Sequence, residues 1–142
     1  MAIFKTTYRV MWSDIDAAQV VNHSNYFRFF QRAEEEFYEY LGLGPGFDYF
    51  TERGIWLPRI EVFCQYKAPS SFGDTLEVSL TIMEIKKKSV KYGFVVKKKD
   101  TGVLVAEGYV VATAADKRIE KAINFPSEIA KKLKAFKKCA HM

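Results

Sequence analysis

The stretch that decides the fold runs from Ser13 to Gly42 and reads S-D-I-D-A-A-Q-V-V-N-H-S-N-Y-F-R-F-F-Q-R-A-E-E-E-F-Y-E-Y-L-G. Two acids, Asp14 and Asp16, end a predicted strand, and a short apolar turn follows them. Asn22 or Ser24 is then placed to cap a helix. A carboxylate beside a helix N-terminus can attack a carbonyl, because the unpaired N–H groups stabilise the developing negative charge.

The segment after this cap is predicted to form the longest helix, over residues 25–41. Its apolar residues recur at helical spacing and are Tyr26, Phe30, Ala33, Phe37 and Leu41. Four glutamates supply the polar side, namely Glu34, Glu35, Glu36 and Glu39. Gly42 is placed to end the helix and Pro45 prevents its continuation. A helix of this length extends about 25 Å, enough to cross a small sheet.

Most of the remaining chain has β character. A first strand over 5–12 precedes the helix, and four more follow it at 55–67, 75–85, 90–99 and 103–114. A second helix begins near Ser127. The short links favour antiparallel pairing. We therefore predict one α+β domain spanning 1–142, in which a curled five-stranded antiparallel sheet wraps around the long central helix. Gly93 and Gly108 interrupt two strands and predict bends or bulges.

The sheet predicted here leaves an edge strand and an outer face uncovered. The strand over 90–99 is apolar on both faces for part of its length, because Tyr92, Phe94 and Val96 alternate with Val95. These features predict a homo-oligomer, either a two-fold dimer or a tetramer.

Composition narrows the classes of function. The chain has 142 residues, 49% of them hydrophobic, and a net charge of +5. It has no apolar run near the ~20 residues of a membrane span and no signal-peptide pattern, which favours the cytoplasm. The positive charge favours an anionic partner such as a phosphorylated small molecule, while motifs for nucleic-acid binding are missing. Cys64 and Cys139 form no metal or redox motif.

Several segments of the chain resemble a known family. The string from Asp14 to Tyr26, followed by R-F-F-Q-R-A-E-E-E, is similar to the 4-hydroxybenzoyl-CoA thioesterase family of hotdog-fold proteins, in particular its YbgC-like acyl-CoA thioesterase branch. The similarity continues through a Y-x-x-P-x-x-x-x-D-x-L segment beginning at Tyr66 and a basic hairpin at 87–89. It implies a hotdog fold and the hydrolysis of an acyl-CoA thioester to free acid and CoA.

The resemblance also implies roles for individual residues. Asp16 matches the catalytic carboxylate, acting as nucleophile or as general base for water. The backbone N–H of His23 matches the donor to the thioester carbonyl, and its side chain is a second catalytic candidate. The candidate substrate-binding residues are Asn22, Ser24, Tyr26, Lys87, Lys88 and Ser89, of which the last three match the region that meets the CoA phosphates. The acyl group is expected to lie against helix aromatics such as Phe27 and Phe30.

No metal or redox cofactor is expected to be needed. CoA itself is part of the substrate and is not counted as a cofactor. Asp14 is expected to hold the turn, and Glu35 and Glu36 are alternative helix carboxylates. Two residues depart from the family pattern. Gln19 stands where glycine is common, and a positive φ there would cost on the order of 1 kcal/mol or more. Glu34 replaces an arginine.

Two other interpretations remain at this stage. One is a hotdog enzyme with another reaction, such as a hydratase or an acyl-carrier-protein thioesterase. The other is a non-catalytic acyl-CoA-binding module, which the departure at Gln19 keeps open.

Overall fold

The computed structural model describes residues 2–139. Its helices are α1 (Asn25–Tyr40), α2 (Asp48–Glu52) and α3 (Ser127–Lys138), and a 3₁₀ turn covers Trp12–Asp14. Its strands are β1 (Phe4–Arg9), β2 (Ile55–Trp56), β3 (Arg59–Tyr66), β4 (Thr75–Ile85), β5 (Ser89–Lys98), β6 (Leu104–Thr113), β7 (Ala115–Asp116) and β8 (Lys121–Ala122).

Five strands form one antiparallel sheet in the order β1-β4-β5-β6-β3. The predicted five-stranded sheet is therefore confirmed. Apart from shifts of one residue at other element ends, three features differ from the prediction. The first strand ends at Arg9, the predicted strand over 55–67 is divided around Pro58, and β6 is followed by two short strands that join β2 in a second sheet. Proline lacks the N–H that a strand ladder needs, which explains the division at that residue.

Helix α1 packs its aromatic face against the sheet, with contacts to β1 and β4. Phe29, Phe30 and Phe37 are almost completely buried, and the Phe30 ring stacks on Phe94 with centroids 4.5 Å apart. Gly42 ends the helix with φ +82°, the left-handed conformation that glycine adopts without cost. The predicted central helix and its end are thus confirmed.

Of the two alternatives predicted for Gly93 and Gly108, the bulge is wrong, whereas a bend at either glycine stays a prediction. The ladder runs without a shift through both glycines, and the shifts near them fall at 82/84 and 96/97. At Gly108 the reason for glycine is close approach, because a Cβ built there would lie 1.9 Å from the Phe63 carbonyl oxygen. At Gly108, the close approach of β3 to β6 therefore requires glycine because there is no space for a side chain, and no change of register is involved.

The edge strand β3 is unusually exposed for an apolar sequence. Ile60 is 62% exposed, Val62 48% and Phe63 41%. On its other side β3 pairs with β6, so one row of backbone groups faces outward. No helix among residues 2–139 is long and apolar enough to cross a membrane.

Candidate functional site

A tight hairpin turn presents Asp16. The Asp16 N–H donates to the Val20 carbonyl at 3.0 Å and the Gln19 N–H donates to the Asp16 carbonyl at 2.9 Å. The Ala18 N–H donates to Oδ1 of Asp16 at 2.9 Å. This three-residue loop places its last residue in the left-handed region, and Gln19 has φ 65°. Gln19 therefore occupies a conformation that favours glycine, as the family pattern indicated.

Asp14 holds the base of the same turn. Its Oδ2 accepts the Met11 N–H at 2.8 Å. Its carbonyl accepts the Asn22 N–H at 2.9 Å and the Asn25 side-chain amide at 2.8 Å. Asp14 is buried, so these bonds are shielded from water. The side chain fixes the approach to α1 and is not presented to a ligand.

Asn22 organises the N-terminus of α1. Its Oδ1 accepts the Ser24 N–H at 3.0 Å and the Ser24 hydroxyl at 2.8 Å. Of the two predicted caps, Asn22 supplies the oxygen, while the Ser24 side chain makes no capping bond to the helix. Within residues 2–139 the N–H of His23 has no hydrogen-bond partner. A donor is thus left unpaired, within the described residues, at the positive end of a 16-residue helix.

The His23 side chain is exposed and lies beside Tyr66. The two ring centroids are 6.2 Å apart, and the Tyr66 hydroxyl donates to the His23 carbonyl at 3.0 Å. Both residues line a cavity of about 340 Å³, together with Val21, Tyr26, Lys67, Ala68 and Pro69. Tyr26 is buried, and burial raises the pKa of its phenol. Its hydroxyl donates to Ser70 Oγ at 3.3 Å, so Tyr26 forms a fixed wall of this cavity.

Asp16 lines a different cavity, of about 710 Å³, with Trp12, Ile15, Ala17, Gln19 and Phe72. Trp12 is 78% exposed, and its ring meets the edge of Phe72 at a centroid distance of 6.4 Å. The cavity is therefore largely apolar, and Asp16 is the one charged side chain among these lining residues. Within one chain, the structure does not bring Asp16 and His23 into a common cavity.

The predicted CoA-phosphate residues are also separated from this region. Lys87 lines a cavity of about 560 Å³ with Ile85, Lys86, Asn124, Phe125, Ala130 and Lys134. Lys88 does not line it, and its carbonyl accepts bonds from Thr113 and Ala114. Ser89 begins β5. Sequence reasoning missed Lys134, although the lysine-rich exposed face of α3 was a visible signal.

The prediction that all four glutamates lie on the polar side of α1 is wrong for Glu34. It is 1% exposed, and its Oε1 lies 2.9 Å from Nη2 of Arg59. Its Oε2 accepts the Tyr38 hydroxyl at 2.7 Å, and that hydroxyl lies 3.0 Å from the Tyr92 hydroxyl. Burial raises the pKa of Glu34, and the Arg59 charge opposes this effect in part. Sequence reasoning missed Arg59 because no local pattern joins β3 to α1.

The alternative helix carboxylate Glu36 and the predicted acyl-binding residue Phe30 are both engaged in structural contacts. Glu36 accepts hydrogen bonds from Thr6 at 3.0 Å and Tyr8 at 2.5 Å, so it joins α1 to β1. Phe30 is fully buried and cannot line an open acyl slot, whereas Phe27 is partly exposed. Among residues 2–139 no group of three or more His, Cys, Asp or Glu side chains is arranged to hold a metal ion.

Comparison with known proteins identifies the family. Residues 10–133 match the thioesterase-like superfamily. A putative esterase from Aquifex aeolicus is 34% identical over 100 residues, covering 69% of this chain and 75% of that protein. The acyl-CoA thioesterase YbgC from Helicobacter pylori is 29% identical over 121 residues, covering 85% and 78%.

Solved structures agree with this result. A gentisyl-coenzyme A thioesterase superposes with a TM-score of 0.82 at 28% identity, over 92% of this chain and 99% of that one. The predicted hotdog fold and the predicted thioester hydrolase class are confirmed by these matches. The chain belongs to the thioesterase-like superfamily.

Proposed function

We propose that this protein hydrolyses an acyl-CoA thioester to the free acid and CoA, with Asp16 as nucleophile or general base. The observation that supports this proposal is a pair of groups that line cavities in a thioesterase-family fold. One is the exposed Asp16 carboxylate on the wall of a large apolar cavity. The other is the His23 N–H at the N-terminus of α1, which has no partner within residues 2–139.

In the proposed reaction, the thioester carbonyl oxygen accepts a hydrogen bond from the His23 N–H. The helix N-terminus then stabilises the negative charge that develops on this oxygen. Asp16 attacks the carbonyl carbon, or removes a proton from the water that attacks it. The C–S bond breaks, the CoA sulfur leaves as a thiolate that takes up a proton, and the acyl group ends as a carboxylic acid. No metal or redox cofactor takes part.

The proposed active site is completed by a second copy of the chain. Asp16 and His23 line separate cavities in one chain, so a single subunit lacks the pair. The exposed apolar strand β3 offers an edge on which a second β3 can pair antiparallel, as a two-fold dimer requires. A tetramer formed from two such dimers preserves this arrangement.

The remaining site roles belong to the same proposal. Lys87 is the residue of the 87–89 turn best placed to meet a CoA phosphate, because its cavity also contains Lys86 and Lys134. Asn22 and Ser24 hold the helix N-terminus, and Tyr26 walls the cavity beside it. A cytoplasmic location is part of the proposal and agrees with two cysteines that form no disulfide.

The experiment is a panel of acyl-CoAs assayed with the wild type and Asp16→Asn. Asparagine keeps the oxygen that accepts the Ala18 N–H, so the turn is preserved. We expect kcat to fall by about 10²–10⁴-fold, the usual contribution of a positioned acid or base. An equal rate in a folded variant would remove Asp16 from the mechanism. Tight acyl-CoA binding without turnover by the wild type would favour a binding module, and faster turnover of acyl-carrier protein would change the substrate.

A further inference from the structure

The positive charge of the chain is concentrated in two segments. Helix α3 carries five lysines and one glutamate, and residues 84–88, at the turn between β4 and β5, carry three lysines and one glutamate. The two segments together have a net charge of +6, whereas the whole chain has +5, so the rest of the chain has −1. A charge distributed in this way attracts anionic partners to the part of the surface that carries it.

The two segments lie side by side, and together they form the basic face of the molecule. The Phe125 N–H, just before α3, donates to the Lys87 carbonyl at 2.9 Å. Lys87 and Lys134 line one cavity, and α3 also packs against β4. The lysines of both segments therefore act on a partner as one group of charges.

Helix α3 is anchored by one side and presents lysines on the other. Its large apolar residues are buried, and they are Ile129, Leu133 and Phe136. An α-helix turns about 100° per residue, which puts Lys131, Lys134 and Lys138 on the opposite side. All three are exposed. They form a ridge along the outside of the helix, while the apolar side is used within the fold.

The chain itself does not neutralise the lysines of α3. Within residues 2–139, none of these five lysines forms an ion pair. The one glutamate of the helix, Glu128, accepts the Tyr49 hydroxyl at 3.1 Å. At the neighbouring turn, Lys86 and Glu84 lie 3.8 Å apart, but both are exposed and such a pair is weak. The basic face therefore keeps its positive potential.

The residue types of the basic face favour a lipid surface over a protein or a nucleic acid. Its two segments contain no arginine, and the aromatic residue of α3 is buried. Protein interfaces are enriched in aromatic residues and arginine and depleted in lysine. Single-stranded nucleic acids stack on exposed aromatic rings. Lysine is flexible and strongly hydrated, which suits a layer of mobile anionic headgroups with no fixed geometry.

We propose that the basic face binds reversibly to the surface of a bilayer that contains anionic lipids. Clusters of four to eight basic residues on a helix are typical of proteins that bind such surfaces, and each lysine strengthens the binding about fivefold. Because the apolar side of α3 is buried in the fold, the attraction is electrostatic and no helix is inserted. The proposal rests on charge and exposure and does not depend on the proposed function.

The test is co-sedimentation of the full chain with lipid vesicles. One set of vesicles contains phosphatidylcholine alone, and the other contains about one third phosphatidylglycerol, which is anionic. We expect binding to the mixed vesicles only. Raising the salt from about 0.1 M to about 1 M should release the protein, because the Debye length falls from about 10 Å to about 3 Å.

The double variant Lys131→Gln with Lys138→Gln removes two charges from the ridge. Neither lysine lines the cavity of Lys87, and glutamine is a good helix former, so the fold and that cavity are preserved. We expect the partition coefficient onto mixed vesicles to fall about tenfold or more. Lys97→Gln with Lys99→Gln is the matched control. It removes the same charge from two exposed lysines near the turn between β5 and β6 and should bind like the wild type.

Several results would overturn the proposal. Equal binding to both kinds of vesicle would show that charge is not the cause, and binding to neither would exclude the lipid surface. Equal losses in the two double variants would indicate an effect of net charge and not of the basic face. Tighter binding to a short DNA duplex or to polyglutamate, at the same concentration of negative charge, would identify a nucleic acid or an acidic protein as the partner.

Discussion

Glu34 Oε1 and Arg59 Nη2 lie 2.9 Å apart and join the middle of α1 to the start of the edge strand β3. A second contact, between Tyr66 and His23, joins the other end of β3 to the start of α1. The helix and the exposed edge strand are therefore fixed to each other at two points. A change at either point is expected to affect both the core and the cavities beside it.

We expect Glu34 to make the stability of the protein depend on pH. Burial raises its pKa above the ordinary value of 4.5, so the folded state binds this proton more tightly than the unfolded state. The corresponding stability is fully present below 4.5 and is lost as the pH rises through the folded pKa. Glu34→Gln should remove this loss, so its free energy of unfolding should decline less than that of the wild type.

Urea unfolding of both proteins from about pH 4 to about pH 8 measures this difference. The offset between the two proteins should change with pH, because a constant offset would reflect only the changed contact with Arg59. A constant offset across the whole range would therefore contradict the assignment of a raised pKa to Glu34. Glu35→Gln, which changes a partly exposed neighbour on the same helix, is the control.

Gln19→Gly should stabilise the protein. Gln19 has φ 65°, a conformation that costs a residue with a Cβ about 1 kcal/mol and costs glycine nothing. We expect the free energy of unfolding to rise by about that amount, less the extra chain entropy of glycine. Ala17→Gly in the same turn is the matched control and should be neutral or destabilising, because its φ is not positive. Equal effects at both positions would show that no strain is stored at Gln19.

The parts of the fold that could be predicted from sequence depend on local chemistry. The helix end at Gly42 and the hairpin at Gly102 follow from the need for a positive φ, and both have it. The burial of Glu34 could not be predicted, because it depends on Arg59, which only the folded chain brings near. Gly108 is similar, since the Phe63 carbonyl that requires a glycine there lies on another strand.

The candidate site also has features that local sequence predicts and features that only the folded chain shows. The sequence predicts a carboxylate, Asp16, close along the chain to a helix N-terminus at His23. In the structure each of these two residues lines a cavity. Spacing along the chain does not reveal that Asp16 and His23 line different cavities. That separation arises from the direction of the 16–20 hairpin, which is set by its pairing with Ser70 and Ser71.

Lys87 and Lys88 should contribute differently to CoA binding, although both carry the same charge. Lys87 lines the cationic cavity and Lys88 does not. We expect Lys87→Gln to weaken CoA binding several-fold, because an exposed ion pair contributes up to about 1 kcal/mol, and to reduce its dependence on salt. Lys88→Gln should resemble the wild type. Calorimetric titration with CoA at two salt concentrations measures both quantities, and equal losses would indicate a general effect of net charge.

Val62→Lys should prevent the proposed pairing of β3 with a second copy. Val62 is 48% exposed at the centre of this edge strand, and a lysine there places like charges together across a two-fold axis. We expect the variant to sediment as a monomer and to lose hydrolysis in parallel, because the proposed site takes Asp16 from one subunit and the His23 N–H from the other. Thr7→Lys puts the same charge on the opposite edge strand, β1, and should leave both assembly and rate unchanged. A monomeric variant with the wild-type rate would mean that one chain holds a complete active site, and the proposal of a shared site would then be wrong.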